Sequence, residues 1–211
     1  MNLYLPMISA ILTSAGESSR MGTPKPLLKW PDSVLKRDVT LIEYQVSQLS
    51  ASSVNQIIVV LGHEADKIIS YISDDKVDCV VNNDYKKGKS GSIKTGMKLV
   101  NHDSEAILLL AIDQPRSTSL INKVIDSHSW NQPQITSPTY RGKGGHPIIF
   151  SSDLKSELLS ITEEKKGIRD VIMRNEKNVK RIPIDSDEIS LDLNTPNEYN
   201  IAYRQRWKNL Y

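Results

Sequence analysis

The feature that most constrains this chain is an abrupt change of composition near its amino terminus. An apolar run over Met7–Leu12 has the residue types of a buried strand. The run ends in small residues at Thr13, Ser14, Ala15 and Gly16. Small side chains let a backbone approach a ligand closely and turn its N–H groups toward an anion. Because Arg20 and Lys25 add two positive charges to the same loop, the segment predicts a polyphosphate site.

Two common glycine-rich nucleotide motifs do not fit this chain. The dinucleotide motif Gly-x-Gly-x-x-Gly fails because Ala15 precedes Gly16 and Gly22 lies too far along the chain. The P-loop motif fails at the same place, since the spacing between those two glycines is too long. A second segment, Gly88-Lys89-Ser90, has the end of a P-loop, but Asn83 stands where its first glycine is required. These departures argue against a Walker-type ATPase.

The composition excludes several functional classes. The chain has 211 residues, and its 27 Lys and Arg residues nearly balance 25 Asp and Glu residues, for a net charge of +2. This balance argues against a nucleic-acid partner or a membrane surface. The apolar run at the amino terminus is too short to cross a bilayer and lacks a signal-peptide pattern. From the chain length we expect a single domain over residues 1–211. Cys79 is the only cysteine, so no internal disulfide can form, and we expect a buried thiol and a cytoplasmic location.

Apolar runs of strand length alternate with amphipathic segments in the first half of the chain, which predicts a parallel sheet with right-handed crossovers. The predicted strands are Met7–Leu12, Gln56–Leu61, Val77–Val81, Ala106–Ala111, Gln134–Pro138, Ile148–Phe150, Val179–Ile184 and Ile189–Leu193. The predicted helices are Leu41–Leu49, Ala65–Ile72, Ser92–Val100, Leu120–His128, Asp153–Ser160, Gly167–Arg174 and Asn197–Trp207. Thr40 with Glu43, and Thr195 before Pro196, have the pattern of helix N-caps.

The first loop resembles the signature of the nucleotidyltransferases of the molybdenum-cofactor type, L-A-A-G-x-S-x-R-M-G-x-x-K. The matching positions are Leu12, Ala15, Gly16, Ser18, Arg20, Met21, Gly22 and Lys25. Four later segments resemble the family in the same order, namely Asn83–Gly96, Asp113-Gln114-Pro115, Gly142–Pro147 and Asp192–Pro196. The resemblance implies a three-layer, Rossmann-like nucleotidyltransferase fold of the glycosyltransferase-A type, with a mixed, mainly parallel sheet. The main departure is Lys29–Val39, where relatives have a short hairpin.

The resemblance also implies roles for individual residues. The catalytic residues are expected to be Arg20, Lys25 and Asp113. The expected nucleotide-binding residues are Thr13, Ser14, Ala15, Gly16, Arg20, Gly22, Lys25, Asn83, Gly88 and Ser92. Mg²⁺ is the expected cofactor, held by Asp113 together with Asp192 or Asn194, and the sequence does not decide between these two. The alternation of side chains along a strand would bring Asp192 and Asn194 to the same side.

Three further residues are expected at the acceptor. Gly145 and His146 lie in a glycine-rich loop that contacts the acceptor in relatives, and Arg169 opens a helix from which it would reach an acceptor phosphate. Each assignment has a structural alternative. His146 would instead support its hairpin, and Arg169 would form a surface salt bridge.

The predicted reaction is attack of a phosphorylated acceptor on the α-phosphorus of a nucleoside triphosphate, with release of pyrophosphate. In the resemblance, Ser14-Ala15-Gly16 and Asp113-Gln114-Pro115 favour CTP and the molybdenum cofactor. The alternatives are GTP or another nucleotide, a sugar phosphate as acceptor, or a catalytically silent module that binds nucleotide or cofactor. The expected partners are therefore small molecules, with transient contact to a molybdoenzyme.

Overall fold

Strands and helices alternate through the first half of the chain, as the sequence predicts. The computed structural model describes residues 6–131 and 133–208. In this part, the strands are β1 (Ile8–Ser14), β2 (Lys29–Asp32), β3 (Arg37–Thr40), β4 (Gln56–Leu61), β5 (Val77–Val81), β6 (Ala106–Ala111), β7 (Ile135–Tyr140), β8 (Lys143–Gly144), β9 (Ile148–Ser151) and β10 (Val179–Pro183). The α-helices are α1 (Leu41–Ser50), α2 (Ala65–Ile69), α3 (Lys89–Met97), α4 (Thr118–Asn131), α5 (Lys155–Leu159), α6 (Ile168–Arg174) and α7 (Pro196–Lys208).

The main sheet has the strand order β10-β7-β9-β6-β1-β4-β5. Strand β1 lies at its centre and pairs in parallel with both β4 and β6. Strand β9 runs antiparallel to its neighbours β6 and β7, and β10 is parallel to β7. The prediction of a mixed, mainly parallel sheet is therefore confirmed. Since the chain leaves β1 toward β4 and later returns to β6 on the other side, a crevice is expected at the carboxyl ends of β1 and β6.

Helices cover both faces of this sheet. On one face, Ile8, Ala10 and Leu12 of β1 pack in a core that includes residues of α1 and α4. On the other face, Ile11 of β1 packs in a second core that includes residues of α3, α5 and α6. Strand β1 is thus buried on both sides, which explains its continuous apolar sequence. The three-layer architecture agrees with the prediction.

The predicted helix caps are present. The Thr40 hydroxyl accepts a hydrogen bond from the Glu43 N–H at 3.3 Å, and the Glu43 carboxylate accepts the Thr40 N–H at 2.7 Å. This reciprocal pair satisfies two backbone donors that the first turn of α1 leaves without helical partners. At α7, the Thr195 hydroxyl accepts the Glu198 N–H at 3.3 Å.

The segment Lys29–Val39, which departs from the family pattern in sequence, forms the antiparallel β2–β3 hairpin. Trp30 in this hairpin is only 2% exposed. The Tyr199 hydroxyl of α7 donates to the Lys29 carbonyl at 2.8 Å, so the hairpin is fastened to the last helix. The segment therefore has a structural role beside α7.

Two details of the sequence prediction are wrong. The predicted strand over Ile189–Leu193 is instead a 3₁₀ turn over Asp187–Ser190 followed by irregular chain. The carbonyls of Ile189 and Leu191 accept hydrogen bonds from the Arg116 side chain, and the segment joins no strand ladder. Strand β5 is an edge strand, and Cys79 in it is half-buried rather than buried.

The burial of Cys79 is still sufficient to raise the pKa of its thiol, which makes it a poor nucleophile. Across residues 6–131 and 133–208, none of the helices combines the length and the apolar composition needed to cross a membrane.

Candidate nucleotide and metal site

A cavity of about 260 Å³ lies at the carboxyl ends of β1 and β6. Eight of the predicted site residues line it: Thr13, Ala15, Gly16, Arg20, Lys25, Ser92, Asp113 and Asn194. These residues come from four distant parts of the sequence, and the fold brings them together at the expected crevice. Lys89 lines the same cavity and was not among the predicted site residues.

The loop after β1 is held by its own hydrogen bonds. Ser18 has a φ of 54°, and its hydroxyl accepts the Lys25 N–H at 3.0 Å. The Met21 N–H donates to the Ser18 carbonyl at 2.7 Å, and Gly22 has a φ of 67°, which favours glycine. A Cβ atom added to Gly16 would meet no protein atom within 4 Å. The loop thus keeps open space beside Gly16, which suits close approach of a ligand.

Opposite charges meet at the cavity wall. The Lys25 ammonium lies 2.8 Å from Asp113 Oδ2 and donates to Asn194 Oδ1 at 3.3 Å. The Lys25 and Asp113 side chains are each only 11% exposed. Arg20 is exposed at the same cavity and makes no ion pair among the described residues. The wall therefore offers one paired cation, Lys25, and two exposed cations, Arg20 and Lys89, that make no ion pair among the described residues.

The Asp113 turn is anchored from two directions. The Gln45 side chain of α1 donates to the Gln114 carbonyl at 2.7 Å and accepts the Arg116 N–H at 3.2 Å. The Leu193 N–H donates to the Asp113 carbonyl at 2.8 Å. That second bond draws the chain before Asn194 to the end of β6. The arrangement explains how two segments about 80 residues apart share one site.

Asp192 and Asn194 are placed differently. Asn194 lines the cavity and Asp192 does not. The pKa of Asp192 is raised, chiefly by burial, and the nearby Asp113 carboxylate adds to the rise while a hydrogen bond with Gln114 opposes it. The Asp113 carboxylate and the Asn194 amide oxygen, with the Asp192 carboxylate nearby, are oxygen donors of the kind that a hard divalent cation prefers. The residues present therefore fit Mg²⁺, with Asn194 at the cavity and Asp192 close to Asp113.

The segment between β5 and α3 differs from the prediction in the position of Asn83 and in the residue at which α3 starts. Asn83 is exposed and lies outside the cavity, whereas Asn82 is buried and donates to the Ser92 hydroxyl at 3.1 Å. Helix α3 starts earlier than predicted, at Lys89, and this brings the Lys89 side chain to the cavity. Gly88 has a φ of 111° and packs against Glu163, whose carboxylate accepts the Ser90 N–H at 2.5 Å.

The predicted acceptor residues lie outside the cavity lining, as do Ser14, Gly22 and Gly88. Arg169 is exposed on α6, and the charges of Arg169 and Lys89 both act on His146. The pKa of His146 is lowered to about 4, chiefly by burial and next by the Arg116 charge. A Cβ atom added to Gly145 would collide with the backbone and side chain of Ile189. Gly145 therefore has a packing role whether or not it touches an acceptor.

A family model for the MobA-like NTP transferase domain matches residues 10–179. The chain belongs to the MobA-like NTP transferase family. The matched region contains the small-residue loop, the Asp113 turn and the glycine-rich loop, and it ends before Asp192 and Asn194.

Individual relatives agree with this assignment over almost the whole chain. The chain is 26% identical to the molybdenum cofactor cytidylyltransferase of Escherichia coli K12, over 95% of this chain and 97% of that protein. It is 24% identical to the nicotine blue oxidoreductase of Paenarthrobacter nicotinovorans, over 90% of this chain and 94% of that protein. Among solved structures, a nucleotidyl transferase from Methanothermobacter thermautotroptrophicus has the same fold, with a TM-score of 0.79, 22% identity and coverage of 96% and 99%.

Arg116, which the sequence prediction missed, connects three segments of this MobA-like site. The Arg116 side chain is fully buried, and its guanidinium donates to four backbone carbonyls. The acceptors are Pro115 at 3.1 Å, His146 at 2.8 Å, Leu191 at 3.0 Å and Ile189 at 2.9 Å. These bonds join the Asp113 turn, the glycine-rich loop and the segment that leads to Asn194. The available signal was a long cation directly after Asp-Gln-Pro.

The charge of Arg116 also acts on the site. Burial lowers its pKa to about 10, and the charges of Glu188, Asp192 and Asp113 oppose that change. The guanidinium therefore stays protonated at neutral pH. A buried positive charge close to Asp113 and Asp192 partly offsets the cost of holding two carboxylates near each other.

Proposed function

We propose that this chain is a Mg²⁺-dependent nucleotidyltransferase that transfers CMP from CTP to a phosphorylated acceptor and releases pyrophosphate. The molybdenum cofactor is the proposed acceptor. The observation that carries the proposal is the cluster of Lys25, Asp113 and Asn194 in the wall of a cavity that the small-residue loop also lines. Membership of the MobA-like NTP transferase family supports the reaction class.

The residues of the site suit this reaction electrostatically. The loop that contains Gly16 would place backbone N–H groups beside the phosphates, and Arg20 and Lys25 would neutralise the charge that grows on the leaving pyrophosphate. Asp113 and Asn194 would hold Mg²⁺, which when bound would supply Lewis-acid stabilisation of the negative charge on the phosphoryl oxygens. Most of the acceleration would come from positioning and from preorganised charge.

The proposed nucleophile is a phosphate oxygen of the acceptor, which is already an anion and requires no strong general base. His146 supports this view, since a pKa of about 4 leaves its imidazole neutral at pH 7. A neutral imidazole in this position can accept or donate a hydrogen bond to an acceptor without carrying charge. Arg169 and Lys89, whose charges act on His146, would supply the positive charge for an acceptor phosphate.

Preference for CTP rests on the cavity wall and on one relative. Ala15 lines the cavity, and we propose that its Cβ atom would crowd a purine base more than a pyrimidine base. The Escherichia coli relative with 26% identity is a molybdenum cofactor cytidylyltransferase. A cytoplasmic location and transient contact with a molybdoenzyme remain predictions from the sequence.

The test is a matrix of nucleotides and acceptors. Purified protein with Mg²⁺ is mixed with CTP, GTP, ATP or UTP, and with the molybdenum cofactor or sugar phosphates, and pyrophosphate is measured. We expect pyrophosphate with CTP and the molybdenum cofactor, and loss of the signal in Asp113→Asn. GTP or a sugar phosphate as the productive partner would correct the specificity and keep the reaction class.

Two outcomes would reject a transferase. Tight nucleotide binding with no pyrophosphate from any acceptor would indicate a silent binding module. Oxidation or reduction of a redox substrate without release of pyrophosphate would instead align the chain with the relative that is an oxidoreductase.

A further inference from the structure

The position proposed for the divalent ion is held by a side chain of the protein itself. The Lys25 ammonium is 2.8 Å from Asp113 Oδ2 and 3.3 Å from Asn194 Oδ1, the two atoms that would otherwise face a metal ion. The pair is largely shielded, because each of the two charged side chains is only 11% exposed. Such a shielded pair is screened by solvent and salt much less than a surface ion pair.

The backbone of Lys25 is held in place by hydrogen bonds and by the flanking prolines. The Lys25 N–H donates to the Ser18 hydroxyl at 3.0 Å, and the Lys25 carbonyl accepts the Leu28 N–H at 3.1 Å. Pro24 and Pro26 restrict the chain on both sides. The four-carbon stem starts from the same loop that is proposed to hold the phosphates. Rotation of that stem would move the ammonium from Asp113 to a phosphate without rebuilding the loop.

The protein alone offers few ligands to a metal ion. Within residues 6–131 and 133–208, no group of three or more His, Cys, Asp and Glu residues is placed to hold one. Mg²⁺ requires about six oxygen ligands and is usually completed by water and substrate phosphates. A free ion would therefore have to expel the Lys25 ammonium while it gains few protein ligands. A triphosphate without a metal ion would bring its negative charge beside the Asp113 carboxylate, whose ion-pair partner Lys25 would then face two anions.

We infer that Lys25 holds the metal position on Asp113 in the free protein, and that Lys25 and the divalent ion exchange places on Asp113 when the metal–triphosphate complex binds. The inference rests on the proposed function and adds the state of its site before substrate binds. In the free protein, the ammonium keeps Asp113 neutralised. In the bound state, the ion takes the Asp113 oxygen and the ammonium turns to the phosphates, so each charge keeps a partner. By linkage, nucleotide and ion then raise each other's affinity by the same factor.

The test measures Mn²⁺ binding by electron paramagnetic resonance, with and without the non-hydrolysable α,β-methylene analogue of CTP. We expect weak Mn²⁺ binding to the free protein and binding at least about tenfold tighter when the analogue is present. Lys25→Met is expected to raise the Mn²⁺ affinity of the nucleotide-free protein about tenfold, because the competing charge is gone. Lys25→Gln serves as a second variant in case the first is unstable, and thermal unfolding verifies both.

Lys98→Met is the matched control, since it removes the same charge from an exposed position outside the cavity lining, next to the far end of α3. We expect it to leave Mn²⁺ affinity unchanged. Equal Mn²⁺ affinity in the wild type and in both folded Lys25 variants, without nucleotide, would overturn the exchange. Failure of the analogue to bind at any metal concentration would reject the proposed use of CTP, and the nucleotide-free measurements would still decide the exchange.

Discussion

The two sides of the candidate site are built in different ways. On the phosphate side, Lys25 and Asp113 form a shielded ion pair, and the loop that contains Ser18 fixes the lysine backbone. On the acceptor side, Arg169 of α6 is exposed, and so is Lys89 of α3, which also lines the cavity. The glycine-rich loop there is held by main-chain contacts to Arg116 and by close packing of Gly145 on Ile189.

Because of this difference, we expect the phosphate side to act on the chemical step and the acceptor side to act on the choice of acceptor. Because the loop fixes the Lys25 backbone, only the lysine side chain has to move for its charge to stabilise a transition state. Exposed cations near helix ends interact with a ligand over a longer distance, and the strength of that interaction depends on the shape of the ligand. We therefore expect changes on the phosphate side to alter turnover, and changes on the acceptor side to alter stability or acceptor affinity.

The largest expected effect is that of Asp113→Asn. The variant removes the charge that faces both Lys25 and the proposed metal ion, so turnover should fall by about 10²–10³-fold. Pyrophosphate release at saturating substrates measures this loss. Asp103→Asn, at an exposed pair with His102, serves as the control and should keep full activity. Undiminished turnover in Asp113→Asn would remove Asp113 from the reaction.

Gly145→Ala tests the packing on the acceptor side. The added methyl group would collide with Ile189, and overpacking of this kind costs about 1–3 kcal/mol in the free energy of unfolding. Urea denaturation measures the cost. Gly144→Ala is the matched control, since its Cβ atom would lie 3.7 Å from the Ser137 hydroxyl, an ordinary contact. Equal stability of the two variants would refute the packing role.

Arg169→Met tests selection on the acceptor side. Loss of one exposed cation should raise the KM for the acceptor about tenfold and leave the KM for CTP nearly unchanged. Arg174→Met on the same helix is the control, because Arg174 pairs with Asp170 at 3.0 Å and with Glu157 at 2.7 Å. If both variants leave acceptor kinetics unchanged, Arg169 is a surface residue with no part in the reaction.

The remaining effect concerns the pH dependence of stability and involves a residue away from both sides of the site. Burial lowers the pKa of His128 to about 4, and its ring contacts the Thr136 hydroxyl at 2.9 Å. Since the unfolded chain protonates this residue near pH 6.5, the stabilisation is complete above pH 6.5 and is lost as the pH falls toward 4. The loss should not exceed about 1.4 kcal/mol per pH unit.

Urea denaturation between pH 7 and 5 measures this slope. His128→Gln should show a smaller slope than the wild type, and His102→Gln, at an exposed position, should show the same slope as the wild type. An unchanged slope in His128→Gln would mean that other groups account for the acid sensitivity.

The sequence predicted the parts of the site that depend on neighbouring residues and missed those that depend on residues far apart in the chain. The strand, the small-residue loop and the Asp113 turn are encoded by neighbouring residues, and their positions agree with the prediction. The link from Arg116 to Ile189 and Leu191 joins residues more than 70 positions apart, so local pattern carries no sign of it. For the same reason, the sequence predicted a strand over Ile189–Leu193, where tertiary hydrogen bonds produce an irregular segment.

Neighbouring residues were also hard to tell apart. The sequence pointed to Asn83, whereas Asn82 is the buried residue that contacts Ser92. It left Asp192 and Asn194 equivalent, and only the path of the chain through Leu193 places Asn194 at the cavity. A shift of one or two positions depends on local backbone geometry, which residue types do not specify.

The most direct measurement of the central claim is a crystal structure of the protein with Mn²⁺ and the α,β-methylene analogue of CTP, with the metal located by its anomalous signal. The account predicts Mn²⁺ bound to Asp113 and to the phosphates, with the Lys25 ammonium moved from the carboxylate to a phosphate oxygen. A nucleotide bound elsewhere, with the Lys25–Asp113 pair intact and no metal at Asp113, would contradict it.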